Sequence, residues 1–131
     1  MILIDEDTQV DFLLPAGALY VPGAERLIPV LGRIFAEARE RGIRVLSSVD
    51  AHAENDPEFR DWPAHCVKGT LGQQKIGCTL WPERKLIPNR EGVELEAAPQ
   101  VVVEKQTLDI FSNPNWSRLL EMHPGEECAV V

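Results

Sequence analysis

The stretch Ile43-Arg-Val-Leu-Ser-Ser-Val49, followed at once by Asp50-Ala-His52, decides the fold class. A short apolar run that opens after Gly42 and ends on acidic and imidazole groups reads as a buried strand of a parallel sheet. Asp50 and His52 are separated by one residue, so in an extended segment both side chains leave from the same face. His65 lies further along the same polar loop, flanked by Trp62, Pro63 and Cys66. One carboxylate and two imidazoles form a ligand set suited to Zn²⁺, Mn²⁺ or Fe²⁺, with room left for water or substrate. The plainer alternative is that His52 caps a loop and His65 packs beside Trp62.

Upstream, Met1-Ile-Leu-Ile4 is a second apolar run, and its carboxyl end delivers acidic residues from Asp5 to Asp11. Pro15, Gly17, Pro22 and Gly23 mark a loop. Between Ala24 and Arg41, residues Leu27, Ile28, Leu31, Ile34, Phe35 and Ala38 recur at helical spacing, and Gly42 is a natural stop. Pro29 removes a backbone donor early in that helix, which predicts a kink or a late start. Downstream, the loop from Asp50 to about Trp81 is long and aperiodic, a common trait of functional loops. Leu86-Ile87 is at best a short strand. Val101 to Glu104 is a convincing one, with Lys105 at its end. A short helix is expected over Trp116 to Met122, broken by Pro124-Gly125, before a last apolar strand from Cys128 to Val131.

The expected architecture is therefore α/β: a three-layer, Rossmann-like arrangement around a central parallel sheet, in a single domain spanning 1–131. Ligands of such sheets bind beyond the carboxyl ends of the strands, where Asp7, Asp50, His52 and Lys105 all fall. A parallel sheet whose last strand has no covering helix is an unusual ending. The sequence is accordingly expected to be the N-terminal portion of its domain, lacking the C-terminal part.

Composition narrows the partners. A length of 131 residues can bury a core without staples, and 44% hydrophobic with 26% charged residues is ordinary for a globular protein. The net charge of −8 argues against nucleic acid or an anionic membrane, both of which need a basic face. No segment approaches the length of a membrane span, and the N-terminus offers no basic stretch followed by a long apolar run. Three irregularly spaced cysteines do not make a disulfide framework, which points to a reducing, cytoplasmic setting. None of the three reads as a nucleophile. Cys128 is expected to be buried in its strand, Cys78 has no evident base, and a metal-bound His65 would be a poor base for Cys66.

Three motifs, in order, carry a family resemblance. Asp7-Thr-Gln9-Val-Asp11-Phe12 with Pro15-Ala-Gly17 resembles the opening D-x-Q-x-D-F…G of the isochorismatase-like cysteine hydrolases. Asp50-Ala-His52 followed by Trp62-Pro63-Ala-His65-Cys66-Val-Lys-Gly69-Thr70 resembles the metal-site signature of their nicotinamidase branch. Val101-Val-Val-Glu-Lys105 is similar to the strand that presents the family's lysine. The resemblance implies a triad of aspartate, lysine and cysteine, with Asp7 and Lys105 as the first two. It implies one divalent metal ion, zinc, manganese or iron, on Asp50, His52 and His65, and a substrate ring flanked by Phe12 and Trp62. The implied reaction is hydrolysis of a small amide through a thioester, taking nicotinamide to nicotinic acid and ammonia in NAD metabolism. The expected partners are that small-molecule amide and further copies of the chain in a homo-oligomer, with neither nucleic acid nor membrane.

Two departures stand out. Asp56 occupies a position where many relatives have a further histidine, and carboxylates can ligate directly or through water. The family's cysteine and oxyanion-hole amides belong beyond a strand like Glu127 to Val131, so the 131 residues alone are expected to be inactive. A relative acting on a carbamoyl or ureido compound, or a non-catalytic ligand-binding module of the same fold, are the alternatives.

Overall fold

A computed structural model describes all of residues 1–131. Its centre is a five-stranded sheet in which every pairing is parallel. Strands β1 (Ile2–Asp5), β2 (Arg44–Asp50), β3 (Arg84–Ile87), β4 (Gln100–Lys105) and β5 (Cys128–Val130) take the order β3-β4-β2-β1-β5. Helices α1 (Val10–Leu13), α2 (Ile28–Glu40) and α3 (Trp116–Glu121) complete the regular structure.

Side-chain alternation along the strands builds the layers. Leu3 and Val45, which are partners in register, send their side chains to the face covered by Phe35 and Ala38 of α2, with Trp81. Ile2, Leu46, Val101 and Val103 face the opposite way and pack under Ile110, Trp116 and Leu119. Apolar cores on both faces of a parallel sheet make the expected three-layer α/β architecture. Each fully buried side chain of the size of Phe35 or Leu46 contributes about 1.5–3 kcal/mol.

The structure sharpens several expectations. The segment from Ala24 enters as a 3₁₀ turn over Ala24–Leu27, and α2 proper begins at Ile28 with Pro29 in its first turn. The late start is thus the outcome of the missing proline donor. The weak Leu86-Ile87 signal is a full edge strand, β3, in which only Ile87 is buried. Its exposed Arg84, Lys85 and Leu86 broke the apolar run, as edge strands commonly do. The four-residue helix α1 was not anticipated, because Val10-Asp-Phe-Leu13 is too short to show a period. Cys128 was expected to be buried; it is exposed, since β5 pairs only with β1 at the sheet edge.

Candidate active site and metal centre

The carboxyl ends of β1, β2 and β4 lie side by side, and the register of the sheet dictates what meets there. Asp50 and Lys105 are Cα partners across β2 and β4, so their side chains leave from the same face. Lys105 Nζ donates a hydrogen bond to Asp50 Oδ1 and lies 2.9 Å from Asp7 Oδ2. Asp7 and Lys105, far apart in sequence, therefore meet at one sheet edge. The ammonium is only 2% exposed. Burial alone would push its pKa down, but the Asp7 and Asp50 carboxylates outweigh that and hold it above the ordinary lysine value. Asp7 is fixed from its other side: Ser48 Oγ donates to Asp7 Oδ1 at 2.6 Å, while the Asp7 N–H donates to Ser48 Oγ at 3.1 Å. Its backbone has φ of 51°, a left-handed conformation that aspartate tolerates better than most residues. Strain of this kind persists where surrounding contacts over-determine it.

The second oxygen of Asp50 faces two imidazoles. His52 Nε2 is 3.8 Å and His65 Nε2 is 3.6 Å from Asp50 Oδ2. The donor atoms of Asp50, His52 and His65 fall within 4.8 Å of one another, and all three residues are buried. A bridge between His52 and Val67 creates the convergence: the His52 N–H donates to the Cys66 carbonyl, and the Lys68 N–H donates to the His52 carbonyl. The residues fit a divalent metal on two grounds. Nε2 of His52, which faces Asp50, is buried without a hydrogen-bond partner. Nδ1 of His65 lies 2.8 Å from the Pro63 carbonyl, which only an N–H can satisfy, leaving its Nε2 lone pair facing Asp50.

Two residues quoted in the first motif without a role turn out to hold this arrangement. Gln9 is fully buried; it accepts from the Asp50 N–H at 2.7 Å and donates to the Asp50 and Gln73 carbonyls. It thereby clamps the strand end that carries the shared carboxylate. Asp11 accepts from the Cys66 N–H at 2.7 Å and from the Ala18 N–H at 2.9 Å, tying down the loop of His65. Their signal was already in the D-x-Q-x-D pattern, whose polar residues sit beside a buried strand and need partners. Phe59, missed altogether, packs against both imidazoles at 5.2 and 5.7 Å between ring centroids. Nothing in Pro57-Glu-Phe59 singles out that ring by spacing.

A cavity of about 300 Å³ opens over the cluster, lined by Phe12 and Trp62 together with Asp7, Asp50 and His65. Phe12 is half-buried and tilts against His65, whereas Trp62 is 45% exposed at the rim. Trp62 is a rim aromatic, while Phe12 also packs against the cluster of Leu13, Leu31 and Ile76. A larger cavity of about 470 Å³ lies at the other end of the strands, beside Arg44 and Pro99, and contains no comparable cluster. Two of the three cysteines have thiols held in their protonated form. Cys66 is wholly buried, and burial, followed by the Asp50, Asp11 and Asp7 carboxylates, pushes its thiol up. Burial likewise raises Cys78, whose Sγ points at the Ile28 carbonyl.

No protein-family model and no curated sequence matches the chain. Solved structures do. The pyrazinamidase of Pyrococcus horikoshii in complex with zinc is 27% identical, with a TM-score of 0.73 over 98% of this chain and 68% of its own. An isochorismatase-like hydrolase from Alkaliphilus metalliredigens is 26% identical, with a TM-score of 0.78 over 99% of this chain and 65% of its own. The fold is that of the isochorismatase-like hydrolases. The nicotinamidase of Bacillus subtilis, 23% identical with a TM-score of 0.76, shares the fold over 99% of this chain and 68% of its own. The chain thus spans about two thirds of the length of these isochorismatase-like structures.

Proposed function

We propose that this site belongs to a metal-assisted amidohydrolase of nicotinamidase type, acting on a small neutral ring amide. The observation that carries the reading is Asp50, whose one carboxylate joins the Asp7–Lys105 pair on Oδ1 to the His52 and His65 pair on Oδ2. A bound metal would lie on Asp50, His52 and His65 and supply Lewis-acid polarisation and orientation for the substrate. The resemblance to a zinc-bound pyrazinamidase supports zinc as the ion.

The protein's own residues have distinct tasks. Asp7, partly exposed to the cavity, is placed to take the proton of an attacking thiol and return it to departing ammonia. Lys105 stays charged and stabilises negative charge as it develops beside Asp7. Phe12 and Trp62 offer ring faces to a flat substrate. The cavity lining includes the carboxylates of Asp7, Asp50 and Glu58 and neither lysine nor arginine. Three carboxylates along this lining suit a neutral ring amide better than a substrate carrying its own carboxylate, such as a carbamoyl amino acid.

Hydrolysis through a thioester needs a thiol that Cys66, Cys78 and Cys128 do not supply, so residues 1–131 by themselves are expected to turn over no amide. Three free thiols suit a reducing, cytoplasmic setting, and assembly into a homo-oligomer rests on the family resemblance. Elemental analysis of the purified protein beside His52→Ala and His65→Ala tests the metal centre. About one zinc per chain in the parent and a marked loss in both variants is expected. Equal metal content in all three would refute it.

A further inference from the structure

We propose that Asp56 is a positioning residue for His52: its carboxylate takes the Nδ1–H and so aims the Nε2 lone pair at the site shared with Asp50 and His65. This inference rests on the metal-centre reading above for its purpose, though not for its geometry. His52 is completely buried, with Nδ1 3.2 Å from Asp56 Oδ2 on one side and Nε2 facing Asp50 on the other.

A neutral imidazole carries one N–H and one lone pair, on opposite nitrogens, whereas an ionised carboxylate only accepts. With the proton on Nδ1, the Asp56 contact at 3.2 Å is attractive even though its angle departs from that of a well-formed hydrogen bond. With the proton on Nε2, a lone pair would face a carboxylate oxygen inside a buried pocket. Both nitrogens face a carboxylate, and Asp56 is the nearer, at 3.2 Å against 3.8 Å for Asp50, so the first arrangement is favoured; it matches His65, whose Nδ1 faces the Pro63 carbonyl.

Asp56 is itself held in place. Its Oδ1 accepts from the Glu58 N–H at 3.0 Å, capping the 3₁₀ turn Pro57–Arg60, and this leaves Oδ2 for His52. The same turn presses Phe59 against both imidazole rings. A rival arrangement exists, because donor atoms of His52, Asp56 and Glu58 also lie within 4.8 Å of one another. There Asp56 would be a direct ligand and His52 would bind through Nδ1. The cap on Oδ1 and the second imidazole on the Nε2 side both favour the orienting role. Carboxylate partners of this kind fix the tautomer of a ligating histidine.

The test uses the 131-residue chain with ¹⁵N-labelled histidine and long-range ¹H–¹⁵N correlation at about pH 8, above the ordinary imidazole value. Metal-free protein should show His52 as the Nδ1–H tautomer. Asp56→Ser retains an oxygen to cap Glu58 but withdraws the one facing His52, and should convert His52 to a tautomer mixture. An Nε2–H tautomer in the parent, or no change in Asp56→Ser, would overturn the proposal. With zinc added, Nε2 should become the metallated nitrogen, and chelator competition should show affinity weakened about 10–100-fold in Asp56→Ser. Zinc on Nδ1 would make Asp56 a ligand and also overturn it. If the parent takes up no zinc, the metal-centre reading fails, and the metal-free tautomer still decides the role of Asp56.

Discussion

Lys105→Met removes the ammonium on which the site's two carboxylates converge. The side chain is 2% exposed, within 2.9 Å of Asp7 Oδ2 and hydrogen-bonded to Asp50 Oδ1. Methionine fills much of the volume, so the cost is electrostatic: Asp7 and Asp50 are left facing each other without a cation. Removing one partner of a buried pair costs about 3–5 kcal/mol. Asp7 is 30% exposed and partly hydrated, which places the expected loss near the low end, about 3 kcal/mol. Against a typical domain stability of about 5–15 kcal/mol, urea unfolding should show a much lower midpoint with an unchanged slope. The same substitution should sharpen the response to zinc, because Asp50 no longer shares its charge with an ammonium and becomes the stronger ligand. Zinc at about 100 times its Kd stabilises by about 2.7 kcal/mol, so at fixed zinc the variant should regain more than the parent gains. Alkaline pH gives a third reading. The folded pKa of Lys105 is raised, so its stabilisation is fully present below the ordinary value of 10.5 and is lost only as pH rises through the higher folded value. Lys105→Met should lack that alkaline step. An unchanged urea midpoint, or equal zinc stabilisation of both proteins, would refute the reasoning.

Asp7→Asn should cost little stability, about 1 kcal/mol, because asparagine still accepts from Ser48 and Lys105 keeps Asp50. In any longer form of the protein that turns over nicotinamide, the same change should lower kcat by about 10²–10⁴, and an undiminished kcat would remove Asp7 from acid–base chemistry. Gly72→Ala would place a Cβ 2.1 Å from Asp11 Oδ2, forcing the carboxylate off the Cys66 and Ala18 amides. A loss of about 2–4 kcal/mol in urea unfolding and weakened zinc binding through the His65 loop are expected, while wild-type values for both would mean the loop adapts freely. Iodoacetamide should modify exposed Cys128 quickly and buried Cys66 only on unfolding, as mass spectrometry of timed samples would show. Fast labelling of Cys66 would reopen it as a nucleophile.

Legibility in the sequence followed the reach of each signal. Apolar runs at Ile2–Ile4, Val45–Val49 and Val101–Val103 announce buried parallel strands, because such strands are covered on both faces. Where a strand lies at an edge the run is broken: Arg84 and Lys85 diluted β3, and β5 reads as buried while lying exposed. Asp7, Asp50, His52 and Lys105 were legible as strand-end residues, and the parallel register converts that sequence fact into proximity, whereas His65, in the loop, is brought in by the His52–Val67 bridge. What spacing does not encode is which atom of each faces which. The division of Asp50 between Lys105 and two imidazoles, the Gln9 clamp and the Phe59 contact all depend on side-chain directions within loops that have no period.

That division of Asp50 has a consequence for how the site works as a unit. Oδ1 is committed to an ammonium and Oδ2 faces the metal side, so charge drawn to one oxygen is withdrawn from the other. With a cation held by Asp50, His52 and His65, the hold of Asp50 on Lys105 would weaken, and the ammonium would turn its charge more fully toward Asp7. On the proposed reading, metal binding and the Asp7–Lys105 pair would be coupled through one carboxylate rather than through a conformational change. The coupling is reciprocal in free energy: whatever strengthens the Lys105–Asp7 contact must tighten the metal by the same factor. Asp7→Asn, which weakens that contact, should therefore loosen zinc binding measurably even though Asp7 is not among the proposed ligands. Zinc affinity by chelator competition, unchanged in Asp7→Asn, would show the two halves of the site to be independent.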